Sequence, residues 1–333
     1  MDVVLLLLAF AVVLAGALLF TNAVEWIGHR LEVGVGAVGS ILAAVGTAMP
    51  ETLIAIVALL GVEAGSEDVA IGAIVGAPFL LGTLAMGLVG LFAYLYRDRR
   101  DQGLRLSVHR ETLERDLLFF GVLFAIAGLL AWGPPAPLRI AVGIAFLCSY
   151  VAYVALTLRG GGEVQGEESL NPLIFERRGE RREDPSMLLG LLQLLVGLGA
   201  MVGGAHLFVE ELLNLASSIG ADPLVLALIL APLATELPEK VNSFFWVREG
   251  KDALALGNVT GAMVFQATIP VGIGLIFTGW ELNWHALLSI GLGLAGGLLA
   301  YESLHLGQRF KLPAVIGWFA LYAAFIAVVI ASA

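Results

Sequence analysis

The chain has 333 residues, 59% of them hydrophobic and 14% charged, and a mean hydropathy of +0.92, which excludes an ordinary soluble domain. The formal net charge of -10 lies mostly in loops and points to no nucleic-acid partner, and the single cysteine, Cys148, excludes an internal disulfide and any cysteine-based metal or redox motif. The partner that this composition implies is the lipid bilayer. In chain order, ten apolar stretches centre near Leu8, Ile41, Leu80, Val122, Phe146, Leu195, Ile229, Phe265, Leu292 and Ala323. Each has the length of about 20 residues that a helix needs to cross the hydrocarbon core. Asp2, with no basic residue ahead of the first apolar run, lacks the charged start of a signal peptide, so the first span is expected to be retained. Cys148, inside an apolar stretch, reads as core packing. The expected architecture is an all-α integral membrane protein of ten transmembrane helices. Residues 159–186, rich in Gly, Glu and Arg and without apolar periodicity, read as a solvated cytoplasmic linker.

Basic residues near membrane segments mark the cytoplasmic side. The densest run is Arg97, Arg99, Arg100, Arg105, Arg110 and Arg115, between the third and fourth spans. Placing it inside and alternating outward puts Arg30, Arg159, Arg177, Arg178, Arg181, Arg182, Arg248, Lys251, Arg309 and Lys311 inside as well. Of 18 basic residues only Arg139 then falls outside, with Lys240 within a span. This predicts a cell-membrane protein with both termini outside, together with the acidic loop from Glu63 to Asp68, Asp222 and Glu281.

The sequence repeats itself. Gly16-Ala17-Leu18-Leu19-Phe20 matches Gly204-Ala205-His206-Leu207-Phe208 at an offset of 204 − 16 = 188. Thr47-Ala48-Met49-Pro50-Glu51 matches Thr235-Glu236-Leu237-Pro238-Glu239 at 238 − 50 = 188, and Gly72-Ala73-Ile74-Val75-Gly76 matches Gly257-Asn258-Val259-Thr260-Gly261 at 257 − 72 = 185. Residues 1–158 and 187–333 are therefore expected to be two related halves of five spans. An odd span count inverts the second half, an architecture typical of secondary transporters whose site lies at mid-membrane between the halves.

Both Thr-x-x-Pro-Glu motifs fall inside apolar spans, where an ionisable side chain is costly and usually functional. Proline at 50 and 238 offers no N–H to the carbonyls of Gly46 and Ala234, so helix breaks are expected there. Those carbonyls, the hydroxyls of Thr47 and Thr235, and the carboxylates of Glu51 and Glu239 make an all-oxygen set suited to a hard cation such as calcium or sodium. The bland alternative for a single such glutamate is a buried hydrogen bond or ion pair that fixes packing. The GxxxG pairs Gly72/Gly76 and Gly257/Gly261 are expected to let the third and eighth spans press against the broken helices. Asn258 is either a further ligand or a helix–helix hydrogen bond. Glu236 adds a third carboxylate, and the expected metal-binding side chains are Glu51, Glu239 and Glu236. Lys240, four residues after Glu236, could instead pair with it. His206 and Glu210, four apart, and Glu211 read as polar contacts near an interface or as a gate.

At these motifs the sequence resembles the sodium/calcium exchanger superfamily, whose inverted repeats carry Gly-Thr-Ser-x-Pro-Glu followed by Gly-Asn-x-x-Gly-Ser-Asn. Gly46-Thr47-Ala48-Met49-Pro50-Glu51, Ala234-Thr235-Glu236-Leu237-Pro238-Glu239 and Gly257-Asn258-Val259-Thr260-Gly261 carry the match. The resemblance implies that Thr47, Glu51, Thr235 and Glu239 coordinate transported ions and that the first and sixth spans slide across the core. Four signature positions differ: the serine is Ala48 or Glu236, and the later polar residue is Pro78 or Met263. The function so implied is secondary active antiport of a divalent cation, calcium, for sodium, with proton coupling as the alternative. No cofactor is called for beyond the transported calcium, sodium or protons. An intramembrane enzyme finds no His-Glu-x-x-His or Gly-x-Ser-x-Gly to support it, and short loops disfavour a non-transporting cation sensor.

Overall fold

The computed structural model describes residues 2–30, 37–159, 172–176 and 186–332; the side chains of residues 2, 28, 29, 37–47, 158, 159 and 237–242 lie outside that description. Ten long helices form among the described residues: α1 (Asp2–Arg30), α2 (Ala37–Leu60), α3 (Ser66–Leu95), α4 (Arg110–Leu129), α5 (Ala136–Arg159), α6 (Met187–Ile219), α7 (Pro223–Arg248), α8 (Asp252–Phe277), α9 (Trp284–His305) and α10 (Leu312–Ser332). Each contains one of the ten expected centres. Seven are long and apolar enough by composition to cross a membrane, while α2 and α7 contribute the shorter apolar stretches Ala48–Leu60 and Pro223–Glu236. Helix α4 opens on Arg110, Glu111, Glu114, Arg115 and Asp116, which lowers its apolar character. Helix α3 holds Pro78 and then a π-turn at Leu81–Ala85, a local widening that often marks functional helices.

Five helices precede the linker and five follow it, and their packing comes in equivalent pairs. Helix α1 lies along α6, its own counterpart. Contacts of α3 with α7 are matched by α8 with α2, and those of α5 with α8 by α10 with α3. Two isolated backbone bridges complete the correspondence. Arg105 joins the α3–α4 loop to Arg309 in the α9–α10 loop, and Glu281 joins the equivalent α8–α9 loop to Trp132 in the α4–α5 loop. These equivalent bridges sit at opposite ends of α4, so the two halves are inverted with respect to each other.

Burial ranks the helices. The most apolar stretch of α3 is 94% buried and that of α8 72%, against 28% for α1 and α6, so α3 and α8 are central and the α1–α6 pair is peripheral. Close approach depends on missing side chains. A Cβ on Gly72 would lie 2.3 Å from the Leu224 carbonyl oxygen and one on Gly76 2.4 Å from that of Leu228, so α3 presses on α7 as the GxxxG spacing predicts. Gly257 and Gly261 meet no described residue in this way, and the same expectation for α8 is not met among the described residues. Between α1 and α6, a Cβ on Gly16 would lie 2.8 Å from the Gly197 carbonyl oxygen.

Helix α8 is held at both termini. Asp252 at its N-terminus is bonded by Arg100 at 2.6 Å and by the Ser107 amide at 2.9 Å, with both charged side chains fully buried. An acidic residue there also complements the helix dipole. At the other end Arg139 donates to the carbonyls of Leu275, at 2.9 Å, and Gly279, at 3.2 Å. Partway along, Thr260 donates to Asp116 of α4 at 2.9 Å, and Arg115 donates to the same carboxylate at 3.0 Å. The basic residues Arg100, Arg105, Arg248 and Arg309 gather at one end of the bundle, with Arg248 5.6 Å over the Tyr96 ring, while Arg139 lies at the other.

Three expectations are corrected. Helix α2 runs unbroken through Pro50 and α7 through position 238, because the flanking turns supply enough intrahelical bonds to carry the helix past one missing donor. Cys148 is exposed on α5 rather than packed in the core, since α5 is peripheral and turns that face outward. Part of the linker is not solvated: Leu173 is buried, and residues 172–176 are bonded to α1 and α6.

Arg100→Ala strands a buried carboxylate, so it is expected to destabilise the protein by about 3–5 kcal/mol. The check is a thermal unfolding midpoint in detergent, which should fall clearly below that of the unmodified protein.

Candidate cation site

Of the two Thr-x-x-Pro-Glu motifs, the described polar side chains are Glu51 on α2 and Thr235 and Glu236 on α7, all buried within the bundle. Two threonines on these helices are turned inward by bonds to their own helices. Thr52 donates to the Ala48 carbonyl at 2.7 Å and Thr235 to the Ala231 carbonyl at 3.0 Å. A hydroxyl that spends its proton this way keeps its oxygen lone pairs for another acceptor-seeking group. Thr235 is fully buried, and Ala234 beside it is half-buried.

Glu51, Glu236 and Gln266 meet in the interior, at 3%, 1% and 1% exposure. The Gln266 amide nitrogen donates to Glu51 and also to Glu236, the latter at 3.1 Å. One neutral amide on α8 therefore spans two carboxylates, one from each half of the chain. The Gln266 amide oxygen is buried and has no hydrogen-bond partner among the described residues.

The electrostatics follow from this geometry. Two unit charges 4 Å apart repel by about 4 kcal/mol at an effective dielectric of 20. A single neutral amide cannot cancel that, so a cation or a proton must. The donor set is carboxylate, amide oxygen and hydroxyl, all hard oxygen ligands of the kind that calcium and sodium prefer. Among the described residues no group of three His, Cys, Asp or Glu side chains comes together, so two carboxylates, not three, are seen to converge.

The expected residues are distributed as follows. Glu51, Glu236 and Thr235 are at the centre. The side chains of Thr47, Glu239 and Lys240 lie outside the described residues, as does the Gly46 position apart from its helical backbone. Asn258 donates to Ser243 at 3.1 Å, the helix–helix bond that was one of its two expected roles. His206 and Glu210 are exposed and form no bond with each other, while Glu211 is buried on the other side of α6.

Gln266 is the residue that the motifs do not reveal. Its repeat equivalent, 266 − 185 = 81, is Leu81, so self-comparison of the halves passes over it. The available signal is a second amide, in addition to Asn258, inside the apolar span Asp252–Phe277, one helical turn beyond Met263, where the exchanger signature carries a polar residue.

The sequence pattern of the sodium/calcium exchanger protein family matches residues 1–159 and 189–331. Inner membrane protein YrbG of Escherichia coli is 24% identical over 246 residues, covering 74% of this chain and 70% of that protein. The backbone superposes on the H+/Ca2+ exchanger CAX with a TM-score of 0.70 at 19% identity, covering 98% of this chain and 81% of the other. A structure of the sodium-calcium exchanger NCX_Mj gives 0.61 at 20% identity, covering 98% and 99%. At such identities the structural likeness establishes the ten-helix fold.

Gln266→Leu removes both the shared donor and the spare amide oxygen while keeping bulk. Affinity for calcium, measured by titration calorimetry on the detergent-solubilised protein, is expected to fall at least about tenfold, or roughly 1.4 kcal/mol.

Proposed function

The chain belongs to the sodium/calcium exchanger protein family, an integral membrane family of transporters rather than enzymes, and on that premise we propose that it exchanges calcium for protons across the cell membrane. The observation that carries this reading is the Gln266 amide spanning Glu51 and Glu236 from opposite halves. Two adjacent buried carboxylates can be neutralised by one divalent cation or by a proton on each. The same oxygens serve both, so binding of one ion expels the other, and competition at a single site is what couples the two fluxes. Glu51 and Glu236 are the charged ligands, Thr235 and the Gln266 oxygen are neutral ones, and Thr47 and Glu239 complete the shell as repeat equivalents of Thr235 and Glu51. The carbonyls of Gly46 and Ala234, left without a proline N–H, are further oxygen donors.

Protons are favoured over sodium because the signature positions that would offer neutral oxygens to sodium are apolar and buried here: Ala48, Pro78 and Met263. Glu236, standing where the signature has serine, supplies a proton acceptor instead. Sodium is the second reading; the Thr235 hydroxyl and the Gln266 amide oxygen are neutral ligands of the kind a monovalent ion takes. The gathering of basic residues at one end of the bundle supports that end as cytoplasmic, with both termini outside.

The experiment is calcium flux into proteoliposomes under an imposed pH gradient or an imposed sodium gradient. Flux driven by pH alone is expected; flux driven by sodium alone makes sodium the counter-ion, and no flux under either gradient rejects antiport. Glu51→Gln is expected to reduce calcium flux at least about 100-fold, equivalent to roughly 2.7 kcal/mol. Glu236→Gln is expected to abolish the response to the pH gradient, and an unchanged pH response would remove Glu236 from proton coupling.

A further inference from the structure

Residues 172–176 of the linker are fastened to the membrane helices by two side chains that take no part in the cation site. Asn22 of α1 accepts the Ile174 amide through Oδ1 at 3.1 Å and donates through Nδ2 to the Pro172 carbonyl at 3.4 Å. Gln193 of α6 accepts the Phe175 amide through Oε1 at 2.8 Å. Its Nε2 donates to the Leu19 carbonyl at 2.9 Å and to Asn22 Oδ1 at 2.9 Å. Asn22 and Gln193 are buried at 8% and 0% exposure, and Leu173, between the bonded Pro172 and Ile174, is buried at 2%. Gln193 therefore grips the linker with Oε1 and α1 with Nε2, while Asn22 bonds the linker through both amide atoms and α6 through Oδ1 as well.

Packing alone does not call for these amides. The α1–α6 contact already closes tightly at Gly16 and Gly197, and an apolar pair at positions 22 and 193 would extend it without any polar group to satisfy. Buried amides persist where their donors and acceptors are used, and here most of those uses are on residues 172–176. Helices α1 and α6 pack chiefly on each other, and α2 is their main neighbour in the rest of the bundle. A short piece of chain that bonds to both thus ties together two peripheral helices that pack mainly on each other.

We propose that residues 172–176 are a clasp that binds α1 to α6 so that they move as one body during exchange, with Asn22 and Gln193 as the positioning residues. The role in exchange rests on the antiport reading; the clasp itself does not. The bonds gained and the cost of ordering five residues are of the same order, so the clasp is one that a single substitution can open.

Hydrogen exchange read by mass spectrometry on the full chain in nanodiscs tests the clasp directly. The Ile174 and Phe175 amides are expected to be protected, and the double variant Asn22→Ala, Gln193→Ala to exchange there at least tenfold faster, with peptides from α3 and α8 unchanged. Free exchange at both amides in the unmodified protein, or no acceleration in the variant, overturns the clasp. Should the double variant fail to fold, Leu173→Asp changes neither helix and is expected to give the same acceleration. In flux assays the opened clasp is expected to lower maximal calcium flux several-fold while leaving half-saturating calcium unchanged; unaltered maximal flux with the clasp shown to be open overturns its role in exchange. Absence of flux in the unmodified protein would reject antiport and leave the exchange measurement to judge the clasp alone.

Discussion

A single side-chain amide bridges two buried carboxylates whose mutual repulsion the low-dielectric interior leaves largely unscreened. Gln266 is on α8, Glu51 on α2 and Glu236 on α7, so the contact joins the halves of the chain where each buries an acid. The rest of the architecture serves this meeting. The glycines of α3 bring it against α7 at near-backbone distance, and the inverted packing of the second half brings α7 and α8 to the same depth as α2. The amide that donates twice fixes the two acids in one place without cancelling their repulsion.

The site is asymmetric although the fold is built from equivalents. Glu236 corresponds to Ala48 and Gln266 to Leu81, so each partner of Glu51 at the centre is a residue that only one half possesses. Duplication explains why helices of the same kind converge. Divergence after duplication explains why the polar groups that converge are not copies of each other. That asymmetry places one acid on α2 and its companion one turn nearer the N-terminus on α7 than a strict copy would, which suits a single amide reaching both.

Much of this was legible in the sequence, for identifiable reasons. Apolar stretches of bilayer length have few alternatives to helix, so the ten elements and their order follow from hydropathy. The repeat spacing exposed Glu51, Thr235 and the inversion, because an odd number of spans leaves no other arrangement. What resisted reading was set by partners distant along the chain. Gln266 has no repeat counterpart, and the Arg100–Asp252 pair joins residues 152 apart. The expectation of broken helices at the prolines overstated a local rule, since one missing donor within 24 residues of helix costs less than unwinding the turn. Residues 172–176 looked solvated because the stretch around them is rich in Gly, Glu and Arg, whereas Leu173, Ile174 and Phe175 are apolar and the fate of the segment is decided by two amides on other helices.

The fastening of α8 has a consequence for how access to the centre can change. Asp252 is clamped by Arg100 at one terminus, Arg139 closes the other, and Asp116 holds Thr260 between them. A helix pinned at three points behaves as a mast: whatever it carries stays at a fixed depth in the membrane. Passage from one side to the other must then be arranged by shifting the walls around the cargo rather than the mast itself.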